Sequence, residues 1–318
     1  MSKLNVKISV VVPVYNCEKY ILECLSSLQK QTFIGFEVII INDGSTDCSQ
    51  ALIEKFIESD KRFKLVNKEN KGVSEARNIG IALARGNWLC FIDADDVISH
   101  NYLENMYLLI QDNNDIDWVQ TRDISEFKKS VYEVDIKWNI SKVNQSSGFD
   151  KLFSQKNMFY IWGKLYRKEI ILKNNLLFSS KLTVGEDLIF NIQFFCDSEE
   201  IAYTRNATYF YRQSSVSISR GFNKKYVLAR IKSCEEIQKI TKINQKNISK
   251  FYLNYGLLNS LKYVIRMRRW NYVKDILNYI DDKYITALNI VYVLGYKNKI
   301  LYLLVYMAFK INNYSNRA

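Results

Sequence analysis

Proline is almost missing from this chain: Pro13 is the only one in 318 residues. That excludes proline-stiffened loops and extended proline-rich linkers. Histidine is as scarce, and His100 reads as surface at a loop or helix start. Six cysteines (Cys17, Cys24, Cys48, Cys90, Cys196 and Cys234) are scattered with no C-x-x-C pair. Such spacing gives no zinc or disulfide framework, and cysteines inside apolar elements suit a reducing compartment. No stretch reaches about 18 uninterrupted apolar residues, so no bilayer-spanning helix is expected. The N-terminal stretch MSKLNVKISVVVPVYN has a short apolar run that ends at Pro13. It lacks a signal-peptide cleavage pattern and reads as a first strand. These absences together point to a cytoplasmic protein. A Gly/Ser linker, a low-complexity tract and an internal repeat are also lacking. The length then bounds the chain to one large domain, or one domain with an appendage.

Charge is balanced over most of the chain and not at its end. Residues 1–100 carry 12 Lys+Arg and 13 Asp+Glu, and residues 101–220 carry 15 of each. Residues 221–318 carry 18 against 5, a net +13. The basic excess is therefore wholly C-terminal, which points to a polyanionic partner such as a membrane surface or nucleic acid. No nucleic-acid recognition motif appears. Lys299–Ile311 (KILYLLVYMAFKI) has ten consecutive apolar residues between lysines. It is too short to span a bilayer and suits a helix lying at an interface. A packed helical appendage with solvated lysines is the competing reading.

Lys7–Val14 (KISVVVPV) is a β-branched run typical of a strand buried on both faces. Apolar residues at helical spacing follow over Glu18–Gln31. Phe36–Ile41 reads as a second buried strand, Ala51–Ile57 as a helix and Phe63–Val66 as a third strand. Gly72–Arg85 reads as a helix and Trp88–Ile92 as a fourth strand. Further on, Tyr102–Asp112, Phe149–Phe153, Trp162–Lys173 and Glu186–Phe195 read as helical. Trp118–Thr121 and Ser130–Val134 read as short strands, and Ala202–Tyr211 as a strand or hairpin. From Lys224 the pattern is helical and basic. Strands alternating with helices predict an α/β fold whose mostly parallel sheet has helices on both faces. Ligands of such sheets sit beyond the carboxyl ends of the strands. Three polar clusters fall at such ends: Pro13–Glu18, Asn42–Asp47 and Asp93–Asp96.

Each cluster has a chemical reading and a plain one. In FIDADD (Phe91–Asp96), three carboxylates fall within four residues. Two of them at i and i+2 can share a divalent ion with a ligand's phosphates; an Asp-rich turn capping a helix is the alternative. In NDGSTD (Asn42–Asp47), an Asp can accept from a base or ribose edge, while Ser45 or Asp47 can cap the next helix. Arg77, in the first turns after Gly72, can bind phosphate or aspartate, or be a solvated helix residue. Glu186 and Asp187 form a carboxylate pair at a loop-to-helix junction, suited to a general base or to simple use of the helix dipole. Arg212 and the hydroxyls around it could grip a pyrophosphate.

Six stretches taken together, in order and spacing, resemble the family 2 inverting glycosyltransferases with the GT-A fold. They are VVPVYN (Val11–Asn16), INDGSTD (Ile41–Asp47), NKGVSEARNIG (Asn70–Gly80), FIDADD, WGKLYRKE (Trp162–Glu169) and GEDLIF (Gly185–Phe190). The resemblance covers about residues 5–220. It implies a Rossmann-like GT-A domain over 1–220, leaving a basic, aromatic-rich helical region over 221–318. It also implies bacterial cell-surface polysaccharide synthesis, of the capsule, O-antigen or teichoic acid type. A nucleotide-sugar, by default with UDP, is the implied donor, and a saccharide or lipid-linked saccharide the acceptor.

Site roles follow from the same resemblance. Pro13, Tyr15, Glu18 and Asp43 would surround base and ribose, with Asn70 and Arg77 in support. Asp93, Ala94 and Asp95 would be the D-x-D motif, with Asp95 the direct ligand to Mn²⁺ or Mg²⁺ and Asp93 beside it. Asp96 would stand near the donor sugar or one step behind it. Asp187 would be the catalytic base with Glu186 adjacent, and Arg212 and Ser217 would belong to a late loop closing on the pyrophosphate. The processive members' Q-x-x-R-W motif is missing, since Arg266–Trp270 (RMRRW) lacks the Gln, which favours single-sugar addition. Rival readings are a non-catalytic membrane-surface adaptor with the same fold, or another nucleotide-using enzyme. A G-x-G-x-x-G after the first strand is absent, which weighs against a dehydrogenase.

Overall fold

The computed structural model describes residues 5–111, 113, 115–121, 124–126, 138–142, 160–182, 184–205, 207–212, 229, 232, 233, 236 and 239. The expected elements at Ser130–Val134, Phe149–Phe153 and Lys299–Ile311, together with Ser217 and Arg266–Trp270, lie outside these residues. The chain divides into two compact units, Met1–Lys181 with Glu186–Ser217, and Leu182–Gly185 with Ile218–Ala318. Within the second, the Ser233 hydroxyl donates to the backbone oxygens of Ala229 and Val184.

The first unit opens with the expected alternation: β1 (Ile8–Val14), α1 (Ile21–Gln29), β2 (Phe36–Asp43), α2 (Ser49–Ile57), β3 (Phe63–Lys68), α3 (Val73–Leu83) and β4 (Trp88–Phe91). Every residue of β1, β2 and β4 is buried, as strands covered on both faces should be. Then come β5 (Val97–Ile98), α4 (Tyr102–Gln111), β6 (Ile116–Thr121), β7 (Ile124–Glu126), β8 (Trp138–Lys142) and β9 (Lys164–Arg167). The unit closes with α5 (Lys168–Lys173), α6 (Glu186–Cys196), β10 (Glu200–Thr204) and β11 (Tyr209–Tyr211).

The main sheet runs β3-β2-β1-β4-β9-β6-β10-β8, and a small one runs β5-β11-β7. The first four strands are parallel, so β1, β2, β3 and β4 end at one rim. β9 is antiparallel to both β4 and β6. The helix α3 lies close on this sheet: a Cβ on Gly80 would stand 2.3 Å from Val11 Cγ1. Only glycine lets the helix that carries Arg77 sit so near β1.

Two expectations are corrected. Trp162–Lys173 is not one helix: Lys164–Arg167 pairs as a strand between β4 and β6, and only Lys168–Lys173 is helical. Gly163, at φ +75°, turns the chain into that strand. Two waiting strand edges then outweigh the local helical spacing. Ala202–Tyr211 is not a hairpin either, because β10 joins the main sheet and β11 the small one. Among the described residues, no helix is long and apolar enough to cross a membrane.

Candidate active site

The loops at the sheet's common rim are tied to one another. Asn16, at φ +51°, accepts from the Thr46 backbone N–H (2.8 Å), while its own N–H donates to Ser45 Oγ. Glu18 accepts from Cys48 N–H (3.0 Å) and donates its N–H to Asp47, which also accepts from Ser49 N–H. The loop after β1 thus caps α2 jointly with Asp47. Asp43, at the end of β2, accepts from Lys71 N–H (2.9 Å) and Gly72 N–H (2.8 Å), and pairs with Lys68. It fixes the turn into α3, where Gly72 adopts φ +94°. Asn70 is exposed on this turn, its backbone against Gly44. Pro13 lies two residues beyond the last β1–β4 pair, Val11–Phe91. Tyr15 is exposed beyond the end of β1.

Arg77 organises the next layer. Its guanidinium is buried, with Nη1 donating to Asp187 Oδ1 (2.6 Å) and Nη2 to Asp93 Oδ1 (3.2 Å). Glu186 stands 3.7 Å from Nη1, and the Phe178 ring lies 5.3 Å behind the guanidinium carbon. Asn78, one residue along α3, exchanges reciprocal 2.9 Å hydrogen bonds with the Phe178 backbone. Phe178 in turn stacks on Phe190 of α6 at 4.2 Å. Packing thus brings α6, and Asp187 with it, against α3. Burial opposes charge on Arg77, but Asp187, Asp93 and Glu186 hold it firmly protonated. The same burial pushes the Asp187 carboxyl above its usual range, and Arg77 restrains that rise. Glu186 is pushed up to about 7 by burial and by Asp187.

The D-x-D turn has its own supports. Asp96 is fully buried, accepting from Tyr209 O–H (2.7 Å) and Arg212 N–H (2.8 Å). Tyr209 Oη also accepts from Asp93 N–H. Arg212 Nε donates to Asp95 O (2.8 Å), and its head pairs with Glu23 over the Tyr20 ring. Ala94 is buried and Asp95 partly exposed. Burial and the adjacent Asp93 push the Asp95 carboxyl up.

A cation beside Asp95 would relieve that cost. Among the described residues, no three His, Cys, Asp or Glu side chains converge to hold a metal alone. Asp95 and Asp93 therefore fit an ion that fills its shell from a diphosphate and water, as Mg²⁺ and Mn²⁺ do. A closed protein cage does not fit.

Several neighbours of this site escaped the sequence reading. Ile161 N–H donates to Asp187 Oδ2 (3.3 Å). The buried Lys164 ammonium donates to the Tyr160 and Trp162 carbonyls. Burial lowers its pKa to about 7, against the pull of Asp187. Of these, WGKLYRKE contains Trp162 and Lys164, and a helical reading from Trp162 hid the turn that gathers them with Tyr160 and Ile161.

Comparison with known proteins identifies the family. The profile of glycosyl transferase family 2 matches residues 9–173. EpsH of Bacillus subtilis (strain 168) is 35% identical over 222 residues, 69% of this chain and 64% of that protein. The chain thus spans less than two thirds of that relative's length. The cholesterol galactosyltransferase of Borreliella burgdorferi is 27% identical over 303 residues, 89% of this chain and 82% of that one. Among solved structures, S. aureus TarS 1-349 in complex with UDP-GlcNAc superposes with a TM-score of 0.66 at 21% identity. That match covers 97% of this chain and 89% of TarS 1-349. With the motifs in order, the profile across half the chain and this shared α/β fold, the chain belongs to glycosyl transferase family 2.

Proposed function

We propose that the chain moves a sugar from a UDP-sugar to an acceptor hydroxyl with inversion, in bacterial cell-surface polysaccharide synthesis. The observation that carries this reading is Arg77, whose single guanidinium holds Asp93 of the D-x-D turn and Asp187 together. A diphosphate site and a base for the attacking hydroxyl must be this close for one displacement to connect them.

Asp187 takes the proton of the acceptor hydroxyl, and burial has already made its carboxylate more basic. The hydroxyl oxygen attacks the anomeric carbon on the face opposite the departing nucleoside diphosphate, so the configuration inverts. Asp95, with Asp93, holds Mn²⁺ or Mg²⁺, which when bound offsets charge on the leaving diphosphate. Tyr15, Pro13 and Glu18 border the base and ribose. Asp43 shapes that border by fixing the turn into α3, on which Asn70 is exposed. Arg212 lies on the D-x-D turn, within reach of a diphosphate there.

TarS in complex with UDP and UDP-GlcNAc supports uridine as the nucleoside of the donor. The name of the Borreliella relative supports a lipid-borne acceptor. The net +13 of residues 221–318 supports attraction to the anionic inner face of the membrane. Flotation with anionic liposomes at low salt tests that attraction, and failure to float refutes it. For the reaction, a UDP-release assay over a panel of UDP-sugars with Mn²⁺ and simple glycoside acceptors is decisive. Acceptor-dependent release from one donor, with an inverted product by NMR, is expected; release from none overturns the reading.

A further inference from the structure

The D-x-D turn is closed twice. Asp96 N–H donates to Asp93 O (3.0 Å), so Asp93–Asp96 is a tight turn. The Tyr209 hydroxyl then bridges the same two residues, accepting from Asp93 N–H (3.3 Å) and donating to Asp96 Oδ2 (2.7 Å). Arg212, the residue after β11, adds two 2.8 Å bonds, from its N–H to Asp96 Oδ1 and from Nε to Asp95 O. The hydroxyl is held from behind. Tyr209 is fully buried, its ring stacked on Trp162 at 4.7 Å and 9°, with Tyr102 of α4 edge-on at 6.3 Å. Its backbone pairs with Ile98 of β5, two residues past the turn.

Phenylalanine would serve ring packing as well, and a buried hydroxyl lowers stability unless its bonding capacity is met. Here both the donor and the acceptor are met within one turn, by the N–H of its first residue and the carboxylate of its last. Three crowded carboxylates are thereby given different places. Asp96 is pinned inward at 0% exposure and Asp93 is held by Arg77, while Asp95 stays partly exposed. Two carboxylates that share an ion must keep their spacing, because Mg²⁺ tolerates little departure from octahedral geometry.

We infer that Tyr209 is a positioning residue for the cation: through Asp96 and the Asp93 N–H, its hydroxyl sets the spacing of the Asp93 and Asp95 carboxylates. This rests on the reading of Asp93 and Asp95 as the metal pair.

Tyr209→Phe removes the hydroxyl and keeps the stacked ring. Calorimetry of UDP binding to the full chain, with Mn²⁺ and with EDTA, tests the inference. Affinity with Mn²⁺ should fall about tenfold or more, while affinity with EDTA stays that of the wild type. The inference is overturned if Tyr209→Phe keeps the wild-type response to Mn²⁺, or if it loses affinity equally under both conditions, as a role confined to folding would give. Should Tyr209→Phe not fold, Asp96→Asn takes its place: its one acceptor oxygen can serve the hydroxyl or the Arg212 N–H but not both. The same selective loss is expected there, and an unchanged response to Mn²⁺ overturns the inference. A wild type that binds UDP equally with Mn²⁺ and with EDTA would instead overturn the metal reading, and this inference with it.

Discussion

Arg77 donates a 2.6 Å hydrogen bond to Asp187, a residue 110 positions away in sequence. The same guanidinium holds Asp93, so one buried cation neutralises two carboxylates with different proposed roles. Removing it would leave buried negative charge unpaired. Arg77→Met should destabilise the protein by about 3–5 kcal/mol. Arg77→Lys should recover only part, because a point charge cannot fork to two partners. Urea denaturation measures both. A Met variant as stable as wild type would mean that Arg77 is not the counter-charge of this cluster.

The pH dependence of Glu186 has a definite sign. Its folded-state pKa is raised from 4.5 to about 7, so the native state binds its proton more tightly than the unfolded chain. Its contribution to stability is full below about 4.5 and is lost as pH rises through about 7. Glu186→Gln is neutral throughout. Its melting temperature relative to wild type should therefore climb as pH is raised across that window. A constant difference would show that Glu186 ionises as freely in the fold as outside it.

Asp95 and Asp93 are not equivalent, since Asp93 is spanned by Arg77 and Asp95 is not. Asp95→Ala should abolish the dependence of UDP binding on Mn²⁺, seen by calorimetry with and without the ion. Asp93→Asn should lower stability as well, because one of the bonds to Arg77 loses its charge. Undiminished Mn²⁺-dependent binding in Asp95→Ala would remove Asp95 from the metal site.

Much of this was legible in the sequence, for physical reasons. Runs such as KISVVVPV and FEVIII leave little choice but strands buried on both faces, and the parallel rim follows from their alternation with helices. Carboxylates placed just after such strands mark that rim. What stayed hidden depends on contacts between distant segments. Asp43 reads as a ligand-facing residue, yet its oxygens meet the Lys71–Gly72 turn. The joint grip of Arg77 on Asp93 and Asp187 depends on Phe178 and Phe190 stacking α6 onto α3. Lys164–Arg167 has helical spacing and becomes a strand because β4 and β6 flank it.

The central claim is that Asp187 activates the acceptor hydroxyl. Asp187→Asn tests it most directly, since the amide keeps the size of the side chain and one acceptor oxygen, enough for Arg77 or the Ile161 N–H but not for both, and is no base. Sugar transfer should fall by about 10²–10⁴-fold, while the Kd for UDP with Mn²⁺ stays within a few-fold of wild type. Transfer at the wild-type rate by Asp187→Asn would contradict the account.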